Sequence, residues 1–397
     1  MTDIEAYASQ AKAWLAETPI PENTGTEVSR EFMAKLYDAG YSGISWPAEY
    51  GGQGLSNVEE RVFQQAARGK ALPTGVFGIG FGMCGPTLLS LGTEEQKKRY
   101  IRPLLRGEEI WCQLFSEPGA GSDLASLSTT AVRDGDEWVV NGQKVWTSLA
   151  HQSAYGVLIA RTNPDAPKQQ GISYFICPMD APGIEIRPII EMTGGHTFNE
   201  VFLTDVRLPA ENLVGQVDDG WRLAKVTLSN ERVSLSSGGA LWGMGPTAET
   251  LLDVVRDAGG APDPITRDRL AELYIESEIL RLIRLRTITA AIKGTQPGPE
   301  ASVRKILADE HGQRIMELAV DMAGPGGMLT DVGPLGSPVG LWHFGFLFSP
   351  ALTVGGGTGD VQRNIVAEKV LGLPHDVDVE QGRTWAESRR AGRGTAR

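Results

Sequence analysis

The 397-residue sequence predicts a multidomain α+β protein: a helical domain over 1–109, a middle β domain over 110–219 and a second helical domain over 220–376. Three observations lead there. The length exceeds what one ordinary core accommodates, so several packed domains are expected. Apolar residues recur at helical spacing near both ends of the chain. Between them lie short β-branched and aromatic runs divided by turn dipeptides, with no helical period.

In the first domain the helical spacing is broken at Gly40-Tyr41-Ser42-Gly43-Ile44-Ser45-Trp46-Pro47-Ala48-Glu49-Tyr50-Gly51-Gly52, where Pro and Gly halt any helix, so helices around a loop are expected. Gly80-Phe81-Gly82-Met83-Cys84-Gly85 matches the GxGxxG dinucleotide pattern. That pattern needs a preceding strand, and here the surroundings are helical and Pro86 follows, so a close helix crossing accounts better for these glycines. In the middle domain, strands over 138–140 and 144–146 flank Asn141-Gly142, a strong hairpin signal, and further strands are expected over 155–160, 172–177, 184–188 and 200–205. Strands without intervening helices indicate an antiparallel barrel or sandwich, not a parallel dinucleotide fold. In the last domain Val303, Ile306, Leu307, Ile315, Leu318, Ala319 and Met322 fall on one helical face, which Gly324-Pro325 ends. Residues 269–292 carry apolar groups on more than one face, as in a helix buried within a bundle or subunit interface. The segment 377–397, rich in Arg and Gly, is expected to be flexible.

Composition narrows the function classes. Lys and Arg total 37 against 49 Asp and Glu, a net charge of −12 that repels phosphate backbones, so no nucleic-acid partner is expected. No apolar run approaches a membrane span, and the acidic start lacks an export signal, so a cytoplasmic protein is expected. Cys84, Cys112 and Cys177 lack paired spacing, and with five dispersed histidines no metal site is expected. Neither a GxSxG elbow nor a Gly-Lys-Ser/Thr phosphate loop is present.

Two segments carry chemistry. In Gln113-Leu114-Phe115-Ser116-Glu117-Pro118-Gly119-Ala120-Gly121-Ser122-Asp123 a strand enters a Gly-rich turn. Its hydroxyls and backbone N–H groups can cradle a pyrophosphate; the equal alternative is an ordinary turn stabilised by Ser122 and Asp123. In Gln143-Lys144-Val145-Trp146-Thr147-Ser148, Trp146 can flank a flat cofactor, although a buried core Trp is commoner.

Taken together, the chain resembles the acyl-CoA dehydrogenase family over nearly its whole length. The resemblance rests on motifs in family order: Trp46-Pro47-Ala48-Glu49-Tyr50-Gly51-Gly52, Leu91-Gly92-Thr93-Glu94-Glu95-Gln96, Ser116-Glu117-Pro118-Gly119-Ala120-Gly121-Ser122-Asp123, Gly142-Gln143-Lys144-Val145-Trp146, Phe202-Leu203-Thr204-Asp205-Val206-Arg207-Leu208-Pro209, and Gly356-Gly357-Thr358-Gly359-Asp360-Val361-Gln362-Arg363. It implies a helical domain, an antiparallel β-barrel and a four-helix-bundle domain. It further implies an FAD cofactor and an acyl-CoA substrate oxidised at its α,β bond, electron-transfer flavoprotein as acceptor, and a homotetramer or a heterotetramer with a related subunit.

By position the resemblance assigns Gln113, Phe115 and Ser116 to the flavin's pyrimidine edge, and Gly121 and Ser122 to its phosphates and the acyl-CoA chain. Trp146, Thr147 and Ser148 fall against the ring, Gly357, Thr358 and Asp360 in a loop contacting FAD, and Ser229 and Arg232 near the substrate. Many relatives carry the catalytic glutamate directly before the last Gly-Thr, where this chain has Gly356; its N–H remains for the thioester carbonyl. Other relatives carry it early in the third domain before an arginine, which is Glu231 here. Standing alone, Glu231 would read as a surface ion pair; the glycine at 356 makes it the expected base, with a pKa raised by burial. The family's Arg-x-x-Phe-Gly stretch has no clear counterpart between Leu251 and Leu270, and the usual Gln before paired glycines is replaced around Asp321 and Gly324. An acyl-CoA oxidase or flavin monooxygenase of the same fold, and a non-catalytic partner subunit, are the competing readings. His196 and Asn199 face the substrate region or stabilise a turn.

Overall fold

The computed structural model describes residues 3–21, 25–235, 241–242, 245–292, 298–328 and 339–394. The side chains at 232–235, 291–292, 339–340 and 392–394 lie outside the description. The chain forms two compact units, Met1–Ile190 with His196–Asn230 and Asp378–Arg397, and Glu191–Gly195 with Glu231–Val377.

The first unit opens with helices α1 (Ile4–Glu17), α2 (Thr26–Asp38), α3 (Asn57–Ala66), α4 (Gly85–Leu91) and α5 (Glu94–Arg106). Side-chain caps start three of them: Asp3 on α1, and capping boxes of Ser56 with Glu59 on α3 and Thr93 with Gln96 on α5. The expected loop lies between α2 and α3, and its Gly52 is required by space, since a Cβ there would lie 2.3 Å from the Trp46 carbonyl oxygen. The GxGxxG segment is a π-helical turn leading into α4, and a Cβ on Gly85 would strike the Trp46 ring at 2.4 Å, so these glycines serve packing.

Eight strands follow: β1 (Trp111–Leu114), β2 (Thr130–Asp134), β3 (Glu137–Lys144), β4 (Tyr155–Arg161), β5 (Ile172–Pro178), β6 (Ile184–Pro188), β7 (Asn199–Pro209) and β8 (Leu213–Val214). Their order is β6-β7-β3-β2-β4-β5-β8, with β1 beside β4. The long ladders are antiparallel as expected, but β1 runs parallel to β4. One side of the sheet gathers Leu114, Val140, Leu158, Phe175, Val201 and Leu208 into a single core. The opposite faces of β4 and β5 pack Val157, Ile159, Tyr174 and Ile176 against Leu88, Ile101 and Leu104 of the helices, joining helices and sheet in one unit.

The hairpin expected at Asn141-Gly142 is corrected. The chain does not turn there; β3 runs through it with a bulge opposite β7, and the tight turn lies at Gly135, φ 59°, between β2 and β3. Gly142 is needed because a Cβ would lie 2.3 Å from the Thr129 hydroxyl oxygen.

Helix α6 (Gly220–Leu235) carries the division between the units. The second unit continues with α7 (Ala248–Asp257), α8 (Pro264–Ile292), α9 (Ala301–Ala323), α10 (Val339–Phe348) and α11 (Gly359–Ile365). Its core joins Leu251, Val255, Leu273, Ile315, Met316 and Trp342. The apolar face expected on α9 holds only in part. Ile315, Leu318 and Ala319 are buried, but in the first half Val303, Ile306 and Leu307 are half-exposed while Ser302, Lys305 and Asp309 are buried. Lys305 and Asp309 satisfy one another at 2.5 Å, and Lys305 also donates to the Leu352 carbonyl, which lets a polar face turn inward.

Part of the segment expected as a flexible tail is helical. Residues Trp385–Gly394 form α12, and Trp385 and Ala386 donate backbone hydrogen bonds to Ala166 and Pro164 of the first unit.

Candidate active site

In the first unit, β1 delivers the chain into the Gly-rich turn. Glu117 and Ala120 exchange both backbone hydrogen bonds, at 3.1 and 3.0 Å, closing the turn. The buried Glu117 carboxylate accepts from the backbone N–H of Ser128 (2.6 Å) and Thr129 (2.9 Å) and from Lys144 Nζ (2.9 Å). Lys144, 0% exposed at the end of β3, also donates to the Phe115 carbonyl at 3.0 Å. Burial pushes the Glu117 pKa up, but Lys144 and these donors outweigh it and hold the carboxyl below its ordinary value.

On this brace Gly119, Gly121 and Ser122 are exposed, and a Cβ on either glycine would meet nothing within 4 Å, so the rim of the turn is open. Gln113 and Ser116 are half-buried. Phe115 turns its ring inward, edge-on to Tyr174 at 6.0 Å.

The second segment is tied to the first because Val145 donates its N–H to the Ser116 carbonyl at 2.9 Å. Trp146 is 60% exposed at φ 60°, a conformation that non-glycine residues seldom adopt, and its ring meets Phe198 edge-on. It is therefore not a core tryptophan. Thr147 is buried, and its hydroxyl lacks a hydrogen-bond partner among the described residues; Ser148 is half-buried. Asn199, fully buried, donates to the Thr147 carbonyl at 3.0 Å and so supports this turn from behind. His196 lies beside His151, ring centroids 5.2 Å apart. Gln113 at the end of β1, with Ser116, Gly121, Ser122, Trp146, Thr147 and Ser148 in two linked turns, thus lies in one unit. An open glycine rim can receive an anionic group, and an exposed indole can flank a flat ring.

Ser229 and Glu231 are half-buried on α6, and the Arg232 side chain lies outside the described residues. In the second unit Gly356 and Gly357 adopt φ 67° and 91°. The Gln362 amide donates to the Gly356 carbonyl at 2.9 Å, and a Cβ at 357 would lie 2.5 Å from that amide nitrogen. Thr358 caps α11 through the Val361 N–H, while the exposed Asp360 pairs with Arg363 at 3.3 Å.

Sequence reading missed the bracing by Lys144 and Glu117, and offered the turn-stabilising role of Asn199 as one of two alternatives. Only Lys144 left a signal, a cation two residues beyond Gly142 in a strand whose alternate positions face inward.

Family models for the acyl-CoA dehydrogenase N-terminal, middle and C-terminal domains match residues 3–108, 112–206 and 218–371. The chain belongs to the acyl-CoA dehydrogenase family. It is 38% identical over 390 residues to acyl-CoA dehydrogenase IpdE1 of Mycobacterium tuberculosis, covering 95% of this chain and 99% of that protein. Among solved structures, the Tcur3481-Tcur3483 steroid ACAD aligns with a TM-score of 0.80 and 33% identity, covering 94% of this chain and 98% of that one. The ChsE4-ChsE5 complex from Mycobacterium tuberculosis aligns at 0.77 and 33%, covering 95% and 99%. Membership in the acyl-CoA dehydrogenase family supports oxidation of an acyl-CoA as the reaction class. Among the described residues no helix is long and apolar enough to cross a membrane, and no cluster of ligands could hold a metal ion.

Proposed function

We propose that this chain is an FAD-dependent acyl-CoA dehydrogenase that converts an acyl-CoA thioester to the trans-2-enoyl-CoA, with Glu231 as the base. The observation that carries the cofactor reading is the pair of linked turns, in which an open glycine rim lies on a buried ion pair beside the exposed, strained Trp146. These residues suit FAD: the backbone at Gly121 and the Ser122 hydroxyl would take the pyrophosphate, Trp146, Thr147 and Ser148 the ring, and Gln113, Phe115 and Ser116 would line its pyrimidine edge. Gly357, Thr358 and Asp360 are proposed for a further FAD contact.

When bound, FAD supplies the acceptor for the hydride leaving the β-carbon. The Glu231 carboxylate takes the α-proton, so the two C–H electron pairs become the new double bond and the transferred hydride. The Gly356 N–H donates to the thioester carbonyl and strengthens as enolate character grows, while Ser122, Ser229 and Arg232 bind the substrate. Two facts support Glu231: glycine at 356 supplies no carboxylate, and φ 67° there disfavours one. A positioned base contributes roughly a hundred- to ten-thousand-fold in rate. Glu231→Gln should retain FAD yet fail to bleach the flavin with substrate under anaerobic conditions; normal bleaching removes Glu231 from the mechanism.

The similarity to the Tcur3481-Tcur3483 steroid ACAD makes steroid-derived CoA thioesters the first to set beside linear ones in a bleaching panel. Electron-transfer flavoprotein is the proposed acceptor, and peroxide formation in its absence would mark an oxidase instead. Similarity to a two-chain complex favours a second reading, in which this chain works beside a related subunit. A colourless purified protein, yellow only with that partner, would support it.

A further inference from the structure

Glu380 and Trp385 converge on the same turn from behind. Arg161 ends β4 with its side chain 1% exposed. Its guanidinium donates to the carbonyls of Ala125 (2.6 Å), Leu127 (3.4 Å) and Lys168 (2.7 Å), pinning the chain just beyond the Gly-rich turn to the 163–171 loop. Trp385 roofs this group, with the guanidinium carbon 5.1 Å from its ring centroid. The indole N–H also donates to the Ser126 carbonyl at 3.4 Å, and the Trp385 backbone is fixed to Ala166 at 2.9 Å. A second link lies alongside: Lys168 Nζ stands 2.9 Å from Asp123 and 2.6 Å from Glu380. Asp123 closes the signature turn and also accepts from the Ser126 hydroxyl.

We propose that residues 378–394 are a positioning strap for the cofactor turn, acting through Trp385 on Arg161 and through Glu380 on Lys168. The strap touches no reacting group. A buried guanidinium bonded to neutral carbonyls has lost its hydration, and an aromatic face over it returns part of that energy; burial pushes the Arg161 pKa down to about 10. Without Trp385, water reaches Arg161, the 125–127 carbonyls lose their fixed donor, and the spacing of the N–H groups at 119–122 is no longer held. The inference rests on the FAD reading only for its functional consequence; the mechanical coupling of strap to turn stands separately.

The test uses the full-length protein with three variants, Trp385→Ala, Trp385→Phe and Glu380→Gln. Two quantities are read: the FAD dissociation constant of the apoprotein, and hydrogen exchange of amides 119–128 without FAD. Trp385→Ala should weaken FAD about tenfold and speed exchange at 119–128 with the sheet unchanged, while Trp385→Phe, which keeps a π face, should recover most of both. Glu380→Gln, which leaves the roof in place, should give a smaller change of the same kind and serves if Trp385→Ala does not fold. Unchanged exchange at 119–128 in Trp385→Ala, or in Glu380→Gln where only that variant folds, overturns the strap. If the wild-type apoprotein takes up no FAD, the functional reading fails by itself, and the exchange data alone decide the strap.

Discussion

Lys144 and Glu117 are the pair on which the candidate cofactor turn rests, and their burial makes both expensive to disturb. Two charges taken out of water hold together only while each has its partner, and removing one leaves the other stranded at roughly 3–5 kcal/mol. Lys144→Met should lower the unfolding free energy by an amount of that order and release the flavin, whereas Lys144→Met with Glu117→Leu should recover stability but not flavin. Retention of flavin by the single variant would show that the brace does not shape the turn. The pH dependence has a definite sign. The folded-state pKa of Glu117 is depressed, so its contribution is complete above the ordinary glutamate range and is lost as pH falls through the lower folded value. Denaturation midpoints followed downward from pH 5 should therefore fall more steeply in the wild type than in the double variant. The turn residues themselves were legible because glycine and hydroxyl side chains at a strand end announce an exposed backbone. Their support was not. Nothing local in the sequence says that Asn199 reaches back to Thr147, or that Arg161 bonds to carbonyls some 35 residues earlier in the chain.

At the scale of single elements, periodicity served wherever burial was decided by apolar side chains and failed where polar groups satisfied each other. Strands over 155–160 and 172–177 were legible because both faces are buried in continuous apolar runs. The Asn141-Gly142 hairpin was misread because the same dipeptide permits a bulge, and what selected the bulge was the approach of Thr129, a tertiary contact. Helix α9 shows the same limit, since its buried Lys305 and Asp309 contradict the apolar pattern. Lys305→Met should destabilise the second unit by about 3–5 kcal/mol, and adding Asp309→Leu should restore most of it. Burial is the largest influence on Asp309 and, despite Lys305, raises its pKa to about 6. The folded chain therefore binds this proton more tightly than the unfolded chain, and the associated stability is lost as pH rises from the ordinary aspartate range through about 6. Denaturant midpoints across that interval should lose this downward component in the double variant; an unchanged slope would assign it to other groups.

For the whole molecule, motifs in family order carried more than composition did, because each motif is a local turn or cap and its order is fixed by the chain. The order of helical, β and helical domains was legible for that reason, whereas the helix over 385–394 and its contacts were not. Its few apolar residues gave no period, and Trp385 is held by a cation and main-chain carbonyls instead of a hydrophobic core. Assembly is the remaining question at this scale, and α8 bears on it. Ile275, Ile279 and Leu282 recur at helical spacing on one face, flanked by Tyr274 and Leu285, and all five are between 44% and 57% exposed. A contiguous apolar stripe of this kind loses solvent only by meeting another surface, consistent with a second copy or a related subunit covering it. Ile279→Glu with Leu282→Glu would place two carboxylates in such an interface, where leaving them unpaired costs several kcal/mol. On the exposed face of an unassembled chain the same changes cost within about 0.5 kcal/mol. Light scattering after size exclusion should therefore show the wild type as an oligomer and the double variant as a smaller species that still melts cooperatively. An unchanged mass would place the contact elsewhere, and a monomeric wild type would leave the stripe to a different partner chain.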